Sequence, residues 1–139
     1  DYSLLGIVSA MLPALVAGNT VVALASEQKP LCSVTLAEVL ATSDVPSGVV
    51  NILTGKTSDL IPHISSHMDV NAIFYCNNNP KEINQIQLAA VDNLKRIVLS
   101  KNSDWNNLEH ETPYYISDFM ETKTTWHPIE QIAGSGSGY

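Results

Sequence analysis

Few residues in this chain combine the type and the spacing that chemistry needs. Cys76 stands at the end of an apolar run, just before the helix-start pattern Asn79-Pro80-Lys81-Glu82. Thiol pKa values fall near helix N-termini, so Cys76 reads either as a reactive thiol or as a half-buried structural one. Cys32 lies in a helix-like stretch and reads as a core or helix-surface residue. His63 and His67 are four apart, the spacing of two metal ligands on one helical face. His110 and His127 lie far from them and no third ligand has a recognisable spacing, so no metal site is expected. No set of residues reads as a catalytic constellation.

Alternating helix and strand signals must position these residues. Residues 4–16 predict a helix with apolar side chains on most faces, and Gly18-Asn19 a turn. Residues 20–24 form a β-branched run, hence a strand. Pro30 opens the next helix, where its missing N–H costs nothing, with Leu31, Val34, Leu36, Ala37 and Leu40 as its core face. Pro46-Ser47-Gly48 is a turn before a second strand at 49–53. Residues 59–66 read as a weaker helix, interrupted near its start by Pro62, and residues 71–75 as a third strand. In a capping box Asn79 caps, Pro80 takes the first helical position, and Glu82 reaches back. That helix runs to about residue 92, before a fourth strand at 94–99. Strands spaced by helices in this order imply an α/β fold with a parallel sheet and right-handed crossovers.

The pattern breaks after Leu99. Residues 101–112 are polar and read as a loop. Residues 114–126, with Tyr114, Tyr115, Phe119 and Trp126, read as extended. They would form either a hairpin of this domain or a strand added to a neighbouring module. Residues 134–138 alternate Gly and Ser, as flexible tails do.

The 139 residues suffice for one domain with a core. Apolar residues make up 45% and charged residues 15%, which places the chain among globular proteins. With a net charge of −7 and no Lys/Arg cluster, a nucleic-acid partner is not expected. Two cysteines make no disulfide framework, and a cytoplasmic setting is the default. Residues 4–25 are apolar enough to suggest a membrane span. Pro13, Gly18, Asn19 and Thr20 interrupt them, and a buried helix, turn and strand give the same text, so no membrane association is expected.

The run Pro13-Ala14-Leu15-Val16-Ala17-Gly18-Asn19-Thr20-Val21-Val22 resembles the cofactor-domain signature of the aldehyde dehydrogenases. So do Leu36-Ala37-Glu38-Val39 and the stretch from Pro46 through Gly48-Val49-Val50-Asn51-Ile52-Leu53-Thr54-Gly55. Asp69-Val70, Phe74, Ala89-Ala90 and Asn93-Leu94-Lys95-Arg96 extend the match, and Glu121-Thr122-Lys123-Thr124 resembles the family's C-terminal arm. The resemblance implies a Rossmann-like open parallel sheet flanked by helices, plus an extended C-terminal oligomerisation arm. It also implies that the chain starts mid-fold. Residues 1–100 would be the cofactor-domain-like module and 101–113 a loop replacing the catalytic domain. Residues 114–129 would be the oligomerisation strand and 130–139 a flexible tail.

The departures from the family pattern bear on activity. Where the family carries Lys-Pro before the Ser-Glu pair, this chain has Leu24-Ala25, and leucine cannot donate to ribose hydroxyls. Ser26 and Glu27 remain, and they are the residues through which NAD(P) contact would persist, or else scaffold at a strand end. The family's Phe-Thr-Gly-Ser turn is here Phe74-Tyr75-Cys76-Asn77, with bulk where backbone approach is needed. The family's Glu-Leu-Gly-Gly is here Ser100-Lys101-Asn102-Ser103, which lacks the general base. No cysteine follows Cys76 to act as nucleophile. The layout resembles the truncated second module of the two-module (type sixteen) aldehyde dehydrogenases. The expectation is a non-catalytic module with no tightly bound cofactor. Its partners through the arm would be further copies of itself or a catalytic aldehyde dehydrogenase module. Two alternatives stay open: part of an NAD(P)-dependent enzyme whose nucleophile lies elsewhere, and a vestigial nucleotide-binding module.

Overall fold

The apolar run near the start folds as helix α1, Leu5–Val16, with Pro13 inside it. Gly18 ends it at φ +86°, a conformation glycine adopts without a Cβ penalty. The Gly18 N–H donates to the Leu15 carbonyl at 2.9 Å and the Asn19 N–H to the Ala14 carbonyl at 3.1 Å, so the last turn is satisfied. The chain then enters strand β1, Val21–Leu24. The structure, a computed structural model, describes residues 2–100, 104–108 and 112–127.

Helix α2, Leu31–Ala41, follows Pro30 as expected, but its core face is not the expected one. Ser33 is the fully buried residue, its Oγ donating to the Ser3 carbonyl at 3.4 Å. Leu36, Ala37 and Leu40 are half-buried, whereas Leu31 and Val34 are exposed. The helix turns a small polar residue toward the start of α1, and no described element covers its large apolar flank. Strand β2, Val50–Leu53, comes next. Helix α3, Thr57–Ser66, starts two residues earlier than expected and runs through Pro62. With so few residues before Pro62, the proline removes only one interior hydrogen bond.

Strand β3, Ala72–Tyr75, leads to helix α4, Pro80–Ala90. A 3-10 turn at Val91–Asn93 and Leu94 in the left-handed region (φ 55°) join α4 to strand β4, Arg96–Leu99. Strands β1 and β2 pair in parallel, as do β3 and β4. The expected single sheet is not seen among the described residues, where the strands form two separate two-stranded sheets. The core lies under the second pair: Ile61, Tyr75 and Ile86 are buried, with Ile73, Ile83 and Ile97 packed against them.

The expected extended segment is corrected over its first turn, because Tyr114–Ser117 is a short helix, α5. Pro113 sits at φ −66°, ψ −13°, already helical, and its carbonyl accepts from the Ile116 N–H at 3.0 Å. Residues 121–127 belong to no helix or strand. The last two residues of the expected strand and the whole tail lie outside the described residues, as does much of the expected loop. Among the described residues no helix is long and apolar enough to cross a membrane.

Candidate functional site

Ligands of open parallel sheets gather at the carboxyl ends of the strands, so the site is built there. At the end of β1, Ala25 is buried and its N–H continues the ladder to the Leu53 carbonyl at 2.9 Å. Ser26 Oγ accepts from the Lys29 N–H at 3.2 Å, which braces the loop into α2. Glu27 is exposed and reaches across to α3, where its Oε1 accepts from the Thr57 N–H at 2.5 Å. Lys56, at the cap position of α3, supplies no side-chain hydrogen bond, so Glu27 serves the first free N–H of that helix. Hydrogen bonding from Thr57 holds the Glu27 carboxyl below the usual carboxylate range.

At the end of β3 the chain turns through Cys76, Asn77 and Asn78 into α4. Asn79 caps the helix as the sequence suggests, its Oδ1 accepting from the Lys81 N–H at 3.1 Å. Glu82 does not reach the capping backbone as expected. Its Oε1 accepts from Asn79 Nδ2 at 2.9 Å and its Oε2 accepts from the Tyr75 hydroxyl in a very short contact. A carboxylate is therefore fastened at the N-terminus of α4 from two sides. Burial, with the Glu82 hydrogen bond adding to it, raises the Tyr75 phenol well above its usual range, so Tyr75 stays a neutral donor. Cys76 is an exposed residue, yet desolvation around its thiol pushes the pKa up to about 11. That favours the structural reading of Cys76 over the reactive one.

At the end of β4, Ser100 is buried and its N–H donates to the Tyr75 carbonyl at 3.0 Å. Residues 101–103, which complete the aligned motif, lie outside the described residues. The histidine pair is not a ligand pair: His63 is in α3, whereas His67 is the extended residue after it. His67 Nδ1 accepts from the Asp69 N–H at 3.2 Å, and its carbonyl accepts from the buried Lys95. Among the described residues no cluster of His, Cys, Asp and Glu could hold a metal ion.

A second feature had no strong signal in the sequence. Residues 113–120 lie against both halves of the molecule as a strap. Phe74 of β3 meets Tyr115 and Phe119 at ring-centroid distances of 5.7 Å each and Trp105 edge-on at 6.3 Å. Arg96 Nη1 donates to the carbonyls of Asp118 at 2.9 Å and Met120 at 2.8 Å. Asn19 Nδ2 donates to the Phe119 carbonyl at 3.0 Å. A single arginine at a strand start and a single asparagine in a turn look in sequence like ordinary solvated residues. Between β4 and the strap runs an open groove of about 590 Å³.

Comparison with known proteins adds a family to this geometry. The family model described as aldehyde dehydrogenase family matches residues 1–103. A protein described as aldehyde dehydrogenase, mitochondrial, from Leishmania tarentolae is 40% identical over 87 residues, covering 63% of this chain and 18% of that protein. An aldehyde dehydrogenase of Emericella nidulans is 36% identical over 87 residues, with the same coverage of each chain. Aldehyde dehydrogenase 9 of Polyandrocarpa misakiensis is 37% identical over 87 residues, covering 63% of this chain and 38% of its own length. The matched stretch is thus a small part of each of these relatives.

Proposed function

The chain belongs to the aldehyde dehydrogenase family, and we propose that it is a non-catalytic module of that family with a structural role, pairing chains through its C-terminal arm. The observation that carries this reading is the N-terminus of α4. A dinucleotide's pyrophosphate sits at such a helix end, where free N–H groups point outward. Here the Glu82 carboxylate, held by Tyr75 and Asn79, already lies there, and Asn79 takes the Lys81 N–H. A phosphate arriving at that end meets a like charge and a donor already in use. Leu24 and Cys76 stand where the family's ribose and pyrophosphate contacts would be, and Glu27 is bound to α3. These residues do not fit NAD(P), so no chemical step is derived through it.

The finer placement, as the degenerate second module of a two-module enzyme, rests on the joining of a cofactor-like module to an arm with no catalytic segment between. In this reading the two parallel strand pairs are two parts of one Rossmann-like open sheet. The partner is a further copy of this chain or a catalytic aldehyde dehydrogenase module. Coverage of only 18% to 38% of the relatives above favours one other reading. In it the chain contributes to an NAD(P)-dependent aldehyde dehydrogenase, which oxidises aldehydes to carboxylic acids, and another part or chain supplies nucleophile and base.

Calorimetric titration with NAD and NADP, with mass followed by light scattering, separates the two. The structural reading expects no binding heat up to about 1 mM and a mass above that of one chain. Clear micromolar binding overturns it in favour of the enzymatic reading.

A further inference from the structure

We infer that residues 113–120 clamp a hinge within the chain: the molecule is two halves joined at residues 54–56, and release of the strap lets the halves swing apart while each stays folded. The inference goes beyond the structural reading above and does not depend on it. Contacts between elements fall into two groups. In the first, β1 pairs with β2, α1 packs on β1 and α2 on β2. In the second, β3 pairs with β4, α3 packs on α4 and α4 on β4. Among the described residues no element of one group makes extensive contact with an element of the other, and no strand pairing joins them. The groups are consecutive in sequence, so up to Leu99 the main chain crosses between them once, from β2 to α3. The apolar cluster of Ile61, Tyr75 and Ile86 lies wholly in the second half. The first half buries Met11, Ala14 and Ala25.

The hinge and the clamp lie at opposite ends of the strands. At the crossing, beyond the carboxyl ends of β1 and β2, Glu27 Oε1 accepts from the Thr57 N–H at 2.5 Å. The polar grip on the strap is at amino ends, because Asn19 precedes β1 and Arg96 opens β4. Three consecutive strap carbonyls are taken from the two halves. Arg96 of the second half donates to those of Asp118 and Met120, and Asn19 of the first half to that of Phe119 between them.

Apolar contact follows the same division. Helix α5 packs on α1 in the first half, while Tyr115 and Phe119 stack around Phe74 of the second. Trp105 adds to the bridge, close to Gly6 of α1 on one side and edge-on to Phe74 on the other. The strap is itself the weakest part to hold. It has one four-residue helix, and all three of its clamping hydrogen bonds are exposed. Segments of that kind open first, well before core strands and helices do. Once it lifts, the crossing that contains Gly55 and the single Glu27 bond are a few loop residues able to absorb a rotation, as hinges do.

The test measures the distance between the halves in the full chain. Nitroxide labels go on the exposed Cys32 of α2 and on Gln85→Cys of α4, with Cys76→Ser to leave two thiols. Labelled chain is diluted in unlabelled chain, so that pulsed electron resonance reads distances within one chain. With the clamp intact the distribution should be narrow. Arg96→Met should widen it, and Phe74→Ala with Arg96→Met should make it about twice as wide. In both variants the Val21, Ala25 and Ser100 amides, which bond within their own ladders, should keep their protection from exchange. A narrow distribution in the double variant, with chymotrypsin cutting the strap freely, overturns the proposal, because the halves then hold each other without it. A wide distribution in the clamped chain overturns it too, as does widening that comes with loss of protection in both ladders. Native-state exchange of the unmutated chain in rising urea gives a readout that needs no variant to fold. The Arg96 and Ser100 amides, beside the larger core, should exchange about tenfold more slowly than those of Val21 and Ala25, with a different urea dependence. One shared rate and urea dependence would mean that the molecule opens as a single unit and has no hinge.

Discussion

Glu27 is a helix acceptor before it is anything else, and this has a pH signature. A carboxyl held low in the folded state stabilises above its unfolded pKa and loses that contribution as pH falls through the folded value. Glu27→Gln keeps an acceptor for Thr57 and removes the titration. The fall in Tm between about pH 7 and about pH 3 should therefore be smaller in Glu27→Gln than in the wild type; equal falls would mean that the bond to Thr57 is absent in solution. Tyr75 carries two roles that substitution separates. Tyr75→Phe keeps the buried ring and leaves Glu82 short of a donor, at a cost of about 1–3 kcal/mol. Tyr75→Ala also opens the core under Ile61 and Ile86, costing about 3–5 kcal/mol. Urea unfolding of the two variants checks the order, and equal losses would show that the hydroxyl does the whole work. With its pKa pushed up to about 11, Cys76 holds little thiolate near neutrality. Its alkylation rate, read by mass spectrometry, should rise roughly tenfold per pH unit from about pH 7 to pH 10. Fast labelling already at neutral pH would restore the reactive reading.

At the scale of elements, what the sequence made legible was local. Gly18 and Gly48 mark their turns because only a residue without a Cβ takes φ +86° and +83° easily. Asn79-Pro80 marks the start of α4 for an equally local reason. The failures were non-local. Leu31 and Val34 follow helical spacing, but which face is covered depends on elements outside that window. Tyr114 to Ser117 are strand-prone by composition, yet Pro113 and the Phe74 cluster hold them as a helical turn. The pairing of strands into two sheets cannot be read from apolar runs, which look alike whichever neighbour they take. Asn79 was legible as the cap, but the actual partners of Glu82, Asn79 Nδ2 and the Tyr75 hydroxyl, were not, because a strand residue supplies one of them. The strap makes a prediction of its own. Phe74→Ala removes the ring that Trp105, Tyr115 and Phe119 share, so chymotrypsin should cut at Tyr115 and Phe119 several-fold faster than in the wild type. Unchanged cleavage would place the hold on the strap with Arg96 and Asn19 alone.

For the whole molecule the balance between core and surface is uneven. Among the described residues the buried apolar ones are few and mostly small or single: Met11, Ala14, Ala25, Ile61, Tyr75, Ile86 and Ala90. Against them stand large exposed apolar side chains on nearly every element, among them Leu12, Leu31, Leu88, Leu94 and Trp126. Monomeric proteins scatter such residues singly, whereas many at once mark surface that another body covers. Burial supplies most of the favourable free energy of folding, so a chain with this little core has a small margin, on the order of 5 kcal/mol or less. Anything that binds only the folded state adds to that margin by mass action. If pairing through the arm covers part of the exposed surface, Tm must rise with protein concentration. A tenfold increase in concentration adds about 1.4 kcal/mol per dimer, enough to move the Tm of a small domain by several degrees. Thermal unfolding followed by circular dichroism across two decades of concentration reads this directly. A Tm independent of concentration would mean that the exposed surface is not covered by self-association, and would send the search for its cover to a catalytic partner module.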